Sequence, residues 1–384
     1  MKSLCITLTS PFVLNAFLLG HISRLAREMR VTVCLNTEES DIPVLLPSEV
    51  ELISVEIRRA ISPYHDVLAW WKLWKIFAKH SFSTVFTITP KGGLLGMAAA
   101  LAARVPVRVH CFTGQVWANK KGISRMVLKA VDRVIARCAT HLLADSPSQR
   151  DFLVSEGIMK ADSIQVLGQG SISGVNVERF HPDSAARIKL RAELGIDPNC
   201  ICLLYAGRMK REKGVLDLIA AFLDLKTEYP SLCLILVGPD EENLLVKYDI
   251  PGIHAVGYSK RVENYMAAAD IFCLPSYREG FGTVLIEAAA SGLPSVASRI
   301  YGITDAVLDG VTGFLHNPAD VDDIKKCLVR LLDNPSLCKE IGLAGRRRAI
   351  QDFGSDKLES YLGDMLDGCL AIHAKESAGV SNRL

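Results

Sequence analysis

Two carboxylates, Glu279 and Glu287, bracket a Gly-Phe-Gly turn in the run REGFGTVLIEAAASGLPSVAS, residues 278–298. The preceding DIFCLPS has the short, apolar composition of a strand, so Glu279 falls on a loop. The alanine-rich run that follows reads as a helix, with Glu287 about one turn inside it. Gly280 and Gly282 allow backbone to approach a ligand closely. A helix start offers unpaired N–H groups and a positive dipole end, so a phosphate fits between the two carboxylates. Ionised glutamate only accepts hydrogen bonds, and each carboxylate can take them from sugar hydroxyls. A phosphate flanked by polyols is a nucleotide sugar. The same residues also suit solvated glutamates around a tight strand-to-helix turn, so other parts of the chain must decide.

A second group lies in YAGRMKREKGVLDLIAAF, residues 205–222. A buried strand ends at Gly207, and Arg208, Lys213 and Gly214 lead into an amphipathic helix. An arginine fork and a lysine point charge beside a helix start would neutralise a diphosphate, including the charge that grows as its bond to a sugar breaks. With Lys210 and Arg211 alongside, a solvated basic loop reads equally well.

Those residues need elements to hold them. At 384 residues the chain is long enough for two domains, and its 49% apolar content is that of a globular protein. No apolar run is long and uninterrupted enough for a transmembrane helix. The first residues, MKSLCITLTSPFVLNAFLLGH, read as a strand and a helix rather than a secretory leader. Eleven scattered cysteines with no CxxC pair point to reduced thiols in a cytoplasmic protein rather than disulfides or zinc. The net charge of +2 hides a polarity: residues 1–180 carry 21 Lys and Arg against 14 Asp and Glu, the remainder 23 against 28. Between Arg58 and Arg137 there are 14 basic residues and only two acids, Asp66 and Asp132, a field that attracts anionic partners.

Strand-like runs alternate with helical patterns in two series. SLCITLTS, VTVCLN, TVFTIT, VRVHCF, HLLADS and IQVLG come first, then ICLLYAG, LCLILVG, IHAVG, DIFCLPS and PSVAS. That order predicts an α/β protein with two doubly wound parallel-sheet domains facing each other. The expected boundaries are 1–180 for an acceptor-binding domain, joined by the C-terminal helix 356–384, and 181–355 for a nucleotide-sugar domain. Ligands bind outside the carboxyl ends of parallel strands, which puts the expected active site in a cleft between the domains.

GRMKREKG, LVGPDE, VGYS, ADIFCLPSYREGFGTVLIEAAASGLPSVAS and DGVTGFL resemble, in content and order, the retaining glycosyltransferases of family 4, which have the GT-B fold. The resemblance covers nearly all of the second half. It implies that Arg208 and Lys213 hold the donor diphosphate after Gly207, that Glu279 contacts donor-sugar hydroxyls and that Glu287 takes the ribose hydroxyls. Backbone at Gly280, Phe281, Gly282 and Thr283 would cradle the phosphates. The loop from Gly257 through Ser259 to Arg261 would border the base. The first half is similar to the subset that builds bacterial surface glycans, through TPKGGLLGMAAALAARVPVRVHCFTGQVW, ADSPSQRDFLVSEGI and LGQGSISGVNVERFHP.

In that half His110 is expected at the end of VRVHCF, where the family places a histidine near the reacting sugar; a core histidine is the other reading. Thr113, Gly114 and Gln115 continue the loop. Near Ser10 to Asn15 the chain lacks the paired glycines of many relatives, leaving Asn15 or local backbone to substitute. Lys91, Gly92, Gly93 and Gly96 open a helix that either binds an anion, such as an acceptor pyrophosphate, or simply turns tightly. Trp70, Trp71, Trp74 and Phe77 interleave with Lys72, Lys75 and Lys79, and Lys120, Lys121, Arg125, Lys129, Arg133 and Arg137 add a second basic helix. Both suit an anionic inner-leaflet membrane surface, the alternative being a core helix with solvated lysines. No nucleic-acid module is recognisable.

The expected function is transfer of a sugar from a UDP-sugar to a hydroxyl of a lipid-linked or oligosaccharide acceptor in surface-polysaccharide synthesis, with retention implied by the resemblance. The enzyme would be a hexosyl- or N-acetylhexosaminyl-transferase on the cytoplasmic face of the inner membrane. No DxD-like carboxylate pair marks a metal, and no cofactor is expected. A sugar-nucleotide 2-epimerase or a non-catalytic sugar-nucleotide or glycan binding protein would use the same scaffold. A nicotinamide dehydrogenase would need a GxGxxG turn, which neither domain has.

Overall fold

A computed structural model describes residues 2–38, 43–245 and 250–381. The chain divides into two compact units, Met1–Ser173 with Asp356–Leu384, and Gly174–Ser355. The first joint therefore falls seven residues before the expected boundary at 180. Val175 donates to the Phe353 carbonyl at 2.7 Å and accepts from Ser355 N at 3.0 Å, and Phe180 is buried in the second unit's core, so this segment belongs to that unit.

The first unit carries β1 (Ser3–Thr7), β2 (Arg30–Leu35), β3 (Glu51–Ser54), β4 (Thr84–Thr87), β5 (Val107–Phe112), β6 (His141–Ala144) and β7 (Ile164–Val166), all parallel in the order β3-β2-β1-β4-β5-β6-β7. Alternation along β1 sends Leu4 and Ile6 to one face and Cys5 to the other. Leu358, Leu362, Leu366 and Cys369 of the C-terminal helix, Ser355–Ser381, close the Leu4 and Ile6 face at helical spacing. The connections from β3 to β4, β4 to β5 and β5 to β6 all step the same way across the sheet. Right-handed crossovers therefore lay the helices Pro63–His80, Pro90–Ala102 and Gly122–Cys138 side by side on the opposite face. The middle one is rich in glycine and alanine because it presses on the strands. A Cβ on Gly96 would sit 2.8 Å from Thr87 Cγ2, and one on Gly93 2.4 Å from His110 Cε1.

The second unit holds β8 (Ile201–Ala206), β9 (Leu232–Val237), β10 (Ile253–Gly257), β11 (Ile271–Leu274), β12 (Ser295–Ser298) and β13 (Gly313–His316), parallel in the order β10-β9-β8-β11-β12-β13. LCLILV of β9 and IFCL of β11 are buried along their whole length, as strands covered on both faces must be. Two strands had not been foreseen, β3 and β13, each at the edge of its sheet. ELIS in β3 alternates between half-buried and exposed, and GFLH in β13 is only four residues long, so neither carries a strong apolar signal.

Because β8 pairs with β11, the loops leaving their carboxyl ends run against each other. Gly214 has φ +67° and a Cβ there would lie 2.0 Å from the Pro275 carbonyl oxygen. Both the backbone angle and the contact demand glycine. Gly214→Ala should lower unfolding stability by about 3 kcal/mol, read from urea denaturation midpoints. A loss within error of zero would show that the two loops do not pack this closely.

Candidate active site

The second unit builds its site where β8 and β11 end. Gly207 donates to Val237 O at 2.9 Å, extending the sheet by one bond, and Tyr205 Oη donates to Arg208 O at 2.8 Å, fixing the backbone that follows. A 3₁₀ turn over Arg211–Lys213 then reaches the helix Val215–Glu228. From the other loop Tyr277 N donates to Glu212 O at 2.9 Å, Tyr277 Oη to Asp217 at 2.6 Å, and Arg278 to Glu212 at 3.2 Å. These bonds lock the loops together around one half-buried ion pair. Lys213 Nζ donates to Glu279 Oε1 at 2.6 Å, and Ser276 Oγ donates to the same oxygen at 2.8 Å. Both charged side chains are about 15% exposed, so each largely sets the other's environment. Arg208 stands more open, its guanidinium 3.6 Å from Glu241 at the edge of the turn.

Gly282, at φ +83°, ends the β11 loop and starts the helix Thr283–Ala290, which carries no side-chain cap. Phe281 is buried against Phe353, ring centroids 5.2 Å apart, and offers only backbone to the site. Gly280 is held close from behind: a Cβ on Gly302 would stand 2.4 Å from its carbonyl oxygen. Glu287 sits in the middle of that helix, and burial pushes its carboxyl up to about 7, opposed by Arg179 and reinforced by Glu263. Arg179 is itself fixed, donating to Glu263 Oε2 at 2.8 Å and to Lys260 O at 2.9 Å. The sequence does not mark Arg179, because VERFHP reads as the joint between domains. Nor does it mark Ser276, which a lone serine after a strand could not announce. On β10's end, Gly257 takes φ +74° with open space around it, and Ser259 Oγ accepts from Arg261 N at 3.1 Å before the helix Val262–Ala268. Since β10, β8 and β11 are parallel members of one sheet, the loops that carry Ser259, Arg208, Lys213 and Glu279 leave the same edge.

The first unit corrects several expectations. His110 is fourth in the six-residue β5 rather than at its end, and it is buried: Nδ1 lies 2.7 Å from Thr87 Oγ1 and the ring stands edge-on to Phe112. Burial pulls its pKa down to about 3. The residues that leave the strand are Thr113, whose Oγ1 donates to Ile88 O at 3.4 Å, and Gly114 at φ +57°. Lys91 pairs with Asp66 at 2.6 Å and also donates to Ala60 O, tying two helix starts together. Gly92 and Gly93 are packing positions, a Cβ on Gly92 meeting Thr89 Oγ1 at 2.7 Å. Asn15 clamps chain to chain, donating to Pro43 O at 2.8 Å and accepting from Leu45 N at 3.2 Å. Gln115 is buried and accepts from Gln149 Nε2 at 3.2 Å, while Gln149 accepts from Asp145 N at 2.7 Å. The sequence could not show the partners of His110, Thr113, Lys91, Asn15 and Gln115, which come from 23 to 34 residues away.

Comparison with known proteins gives the family of both halves of the chain. Residues 18–170 match the glycosyl transferase 4-like domain and residues 186–348 match glycosyl transferases group 1. The chain belongs to glycosyltransferase family 4, with the GT-B fold. It is 28% identical over 332 residues to the capsular polysaccharide biosynthesis glycosyltransferase CapM of Staphylococcus aureus, covering 85% of this chain and 86% of that one. It is also 28% identical, over 73% of this chain and 74% of the other, to the Escherichia coli UDP-Gal:alpha-D-GlcNAc-diphosphoundecaprenol alpha-1,3-galactosyltransferase. Among solved structures, Anabaena HepE in complex with UDP and glucose has a TM-score of 0.78 at 20% identity, covering 96% of this chain and 99% of that one.

Two buried groups predict opposite pH slopes. The folded Glu287 carboxyl keeps a proton that an ordinary glutamate loses near pH ~4.3, so its contribution to stability falls as pH rises from there to about 7. Glu287→Gln should flatten unfolding midpoints across that window. His110 runs the other way: the unfolded imidazole gains a proton below pH ~6.5, and stability from this group is lost as pH falls toward about 3. His110→Ala should cost about 2 kcal/mol in urea unfolding and leave nucleotide binding by the second unit intact. An unchanged stability together with lost turnover would return His110 to the reaction.

Proposed function

We propose that this glycosyltransferase moves a sugar from a UDP-sugar to a hydroxyl of a lipid-linked or oligosaccharide acceptor in bacterial surface-glycan synthesis. The observation that carries the reading is the half-buried Lys213–Glu279 pair beside an uncapped helix start at the carboxyl edge of the second sheet. With Lys213 and Ser276 both on Oε1, the Glu279 carboxylate keeps its second oxygen for sugar hydroxyls. Arg208, exposed on the same edge, supplies a fork for phosphate oxygens. Glu287, set back along the helix that starts at the phosphates, suits ribose hydroxyls. The similarity to the Staphylococcus capsular and Escherichia galactosyl-transferring relatives supports capsule-type products, a UDP-linked donor and a diphosphate-lipid acceptor.

In the proposed reaction the bond from the anomeric carbon to the β-phosphate oxygen breaks, and a bond to the acceptor oxygen forms on the same face. The departing diphosphate takes the acceptor's proton. Arg208 and Lys213 hold the negative charge that accumulates on the leaving group, so the rate enhancement assigned to them is electrostatic. Glu279 orients the sugar and serves as neither nucleophile nor acid, since a glycosidase-like mechanism needs two carboxyl groups flanking the bond. No resident cofactor is invoked. The family resemblance supports retention of configuration, and the basic first half supports work at an anionic membrane face.

Glu279→Ala should fold, because the lysine it abandons can reach solvent, and should lose transfer by about a hundredfold or more. Turnover of a UDP-sugar panel by the variant at the wild-type rate would sink the sugar-binding role. Arg208→Ala should weaken UDP binding by about tenfold in calorimetry; equal affinity would place the phosphates elsewhere.

A further inference from the structure

The outward faces of two helices in the first unit are apolar where solvent would ordinarily select polar residues. On the Gly122–Cys138 helix, Ile123, Met126, Val127 and Val134 share one stripe and are 75%, 63%, 53% and 42% exposed. On the Pro63–His80 helix, Tyr64, Val67, Leu68 and Trp71 do the same, at 71%, 65%, 46% and 47%. The inward stripe of that helix is Ala69, Leu73 and Phe77, with Trp70 and Trp74 partly buried against the core. Of the three tryptophans in the segment, Trp71 is the one turned outward, with Lys75 Nζ 3.3 Å from its ring centroid. Both helices pack on the Pro90–Ala102 helix between them, on one face of the sheet.

The exposed charge on these two helices is mainly basic, with Glu156 pairing Arg125 and Lys129 of the second. The only acids between Arg58 and Arg137 turn inward: Asp66 pairs with Lys91, and Asp132 accepts from Trp117 Nε1 at 2.7 Å in the core. Lys72, Lys79, Lys120, Lys121 and Arg137 are exposed and make no ion pair among the described residues. A second copy of the chain would bring the same cations against these and be repelled. Anionic phospholipid satisfies both features, since phosphates meet the lysines and the acyl boundary takes the apolar stripes.

We propose that the paired faces of the Pro63–His80 and Gly122–Cys138 helices form a docking surface for an anionic lipid bilayer. The surface deepens the lipid-acceptor reading above but is tested without donor or acceptor. The full chain should float with phosphatidylglycerol-containing vesicles and remain behind with pure phosphatidylcholine. Ile123→Ser with Val127→Ser should reduce flotation several-fold. Lys120→Glu with Lys121→Glu should reduce it by about twenty-fivefold or more, at roughly fivefold per cation. Both double variants should keep the wild-type unfolding midpoint, because the altered side chains contact solvent. Absence of wild-type flotation, or wild-type flotation by both variants, overturns the proposal. Concentration-dependent dimerisation that Ile123→Ser with Val127→Ser abolishes, in a chain that does not float, makes the face a self-association surface and also overturns it. Intact flotation by a chain that transfers to no lipid-linked acceptor would leave the docking surface standing and remove the acceptor reading.

Discussion

The contact between the β8 and β11 loops is the constraint on which the second unit's site depends. Parallel pairing puts the carboxyl ends of the two strands side by side, and Gly214 lets one loop pass against the Pro275 carbonyl of the other. Only with that approach can Lys213 reach Glu279 and Ser276 complete the carboxylate's hydrogen bonds. The pair is buried enough to be strong and open enough to be used. A carboxylate neutralised in this way can sit next to phosphates without repelling them, which an unpaired one could not.

Around that pair the unit spends several polar bonds on rigidity. Tyr277 bridges to Asp217, Arg278 to Glu212, and Tyr205 holds the backbone of Arg208. Each joins residues distant in sequence at the same sheet edge, so cationic groups are placed before any ligand arrives. Electrostatic stabilisation of a leaving group needs this preorganisation, because charges that must first reorient lose much of their effect.

The first unit places its polar groups by the opposite rule. Asp66, Asp132, His110 and Gln115 are taken up by internal partners, Lys91, Trp117, Thr87 and Gln149. Inward acids leave outward cations, and the inward stripes of two helices leave apolar side chains on their outer faces. The unit's surface chemistry is thus largely a consequence of what its core consumes.

The sequence by itself determined the α/β class, eleven of the described strands, the position of Arg208, Lys213 and Glu279 just past strand ends and that of Glu287 inside the next helix. Apolar periodicity and strand-then-helix order are local properties, and a motif between a strand and a helix inherits its position from them. Tertiary structure alone decided the partners. Lys213 and Glu279, 66 residues apart, meet because the strand order sets β8 beside β11. Arg179 joins Glu263 across 84 residues, and His110 is buried because Gly93 leaves room for its ring. Which face of a basic, tryptophan-rich helix points outward was settled the same way. Composition counts the charges and aromatics, but only packing against a neighbouring helix chooses which of them the core removes from solvent.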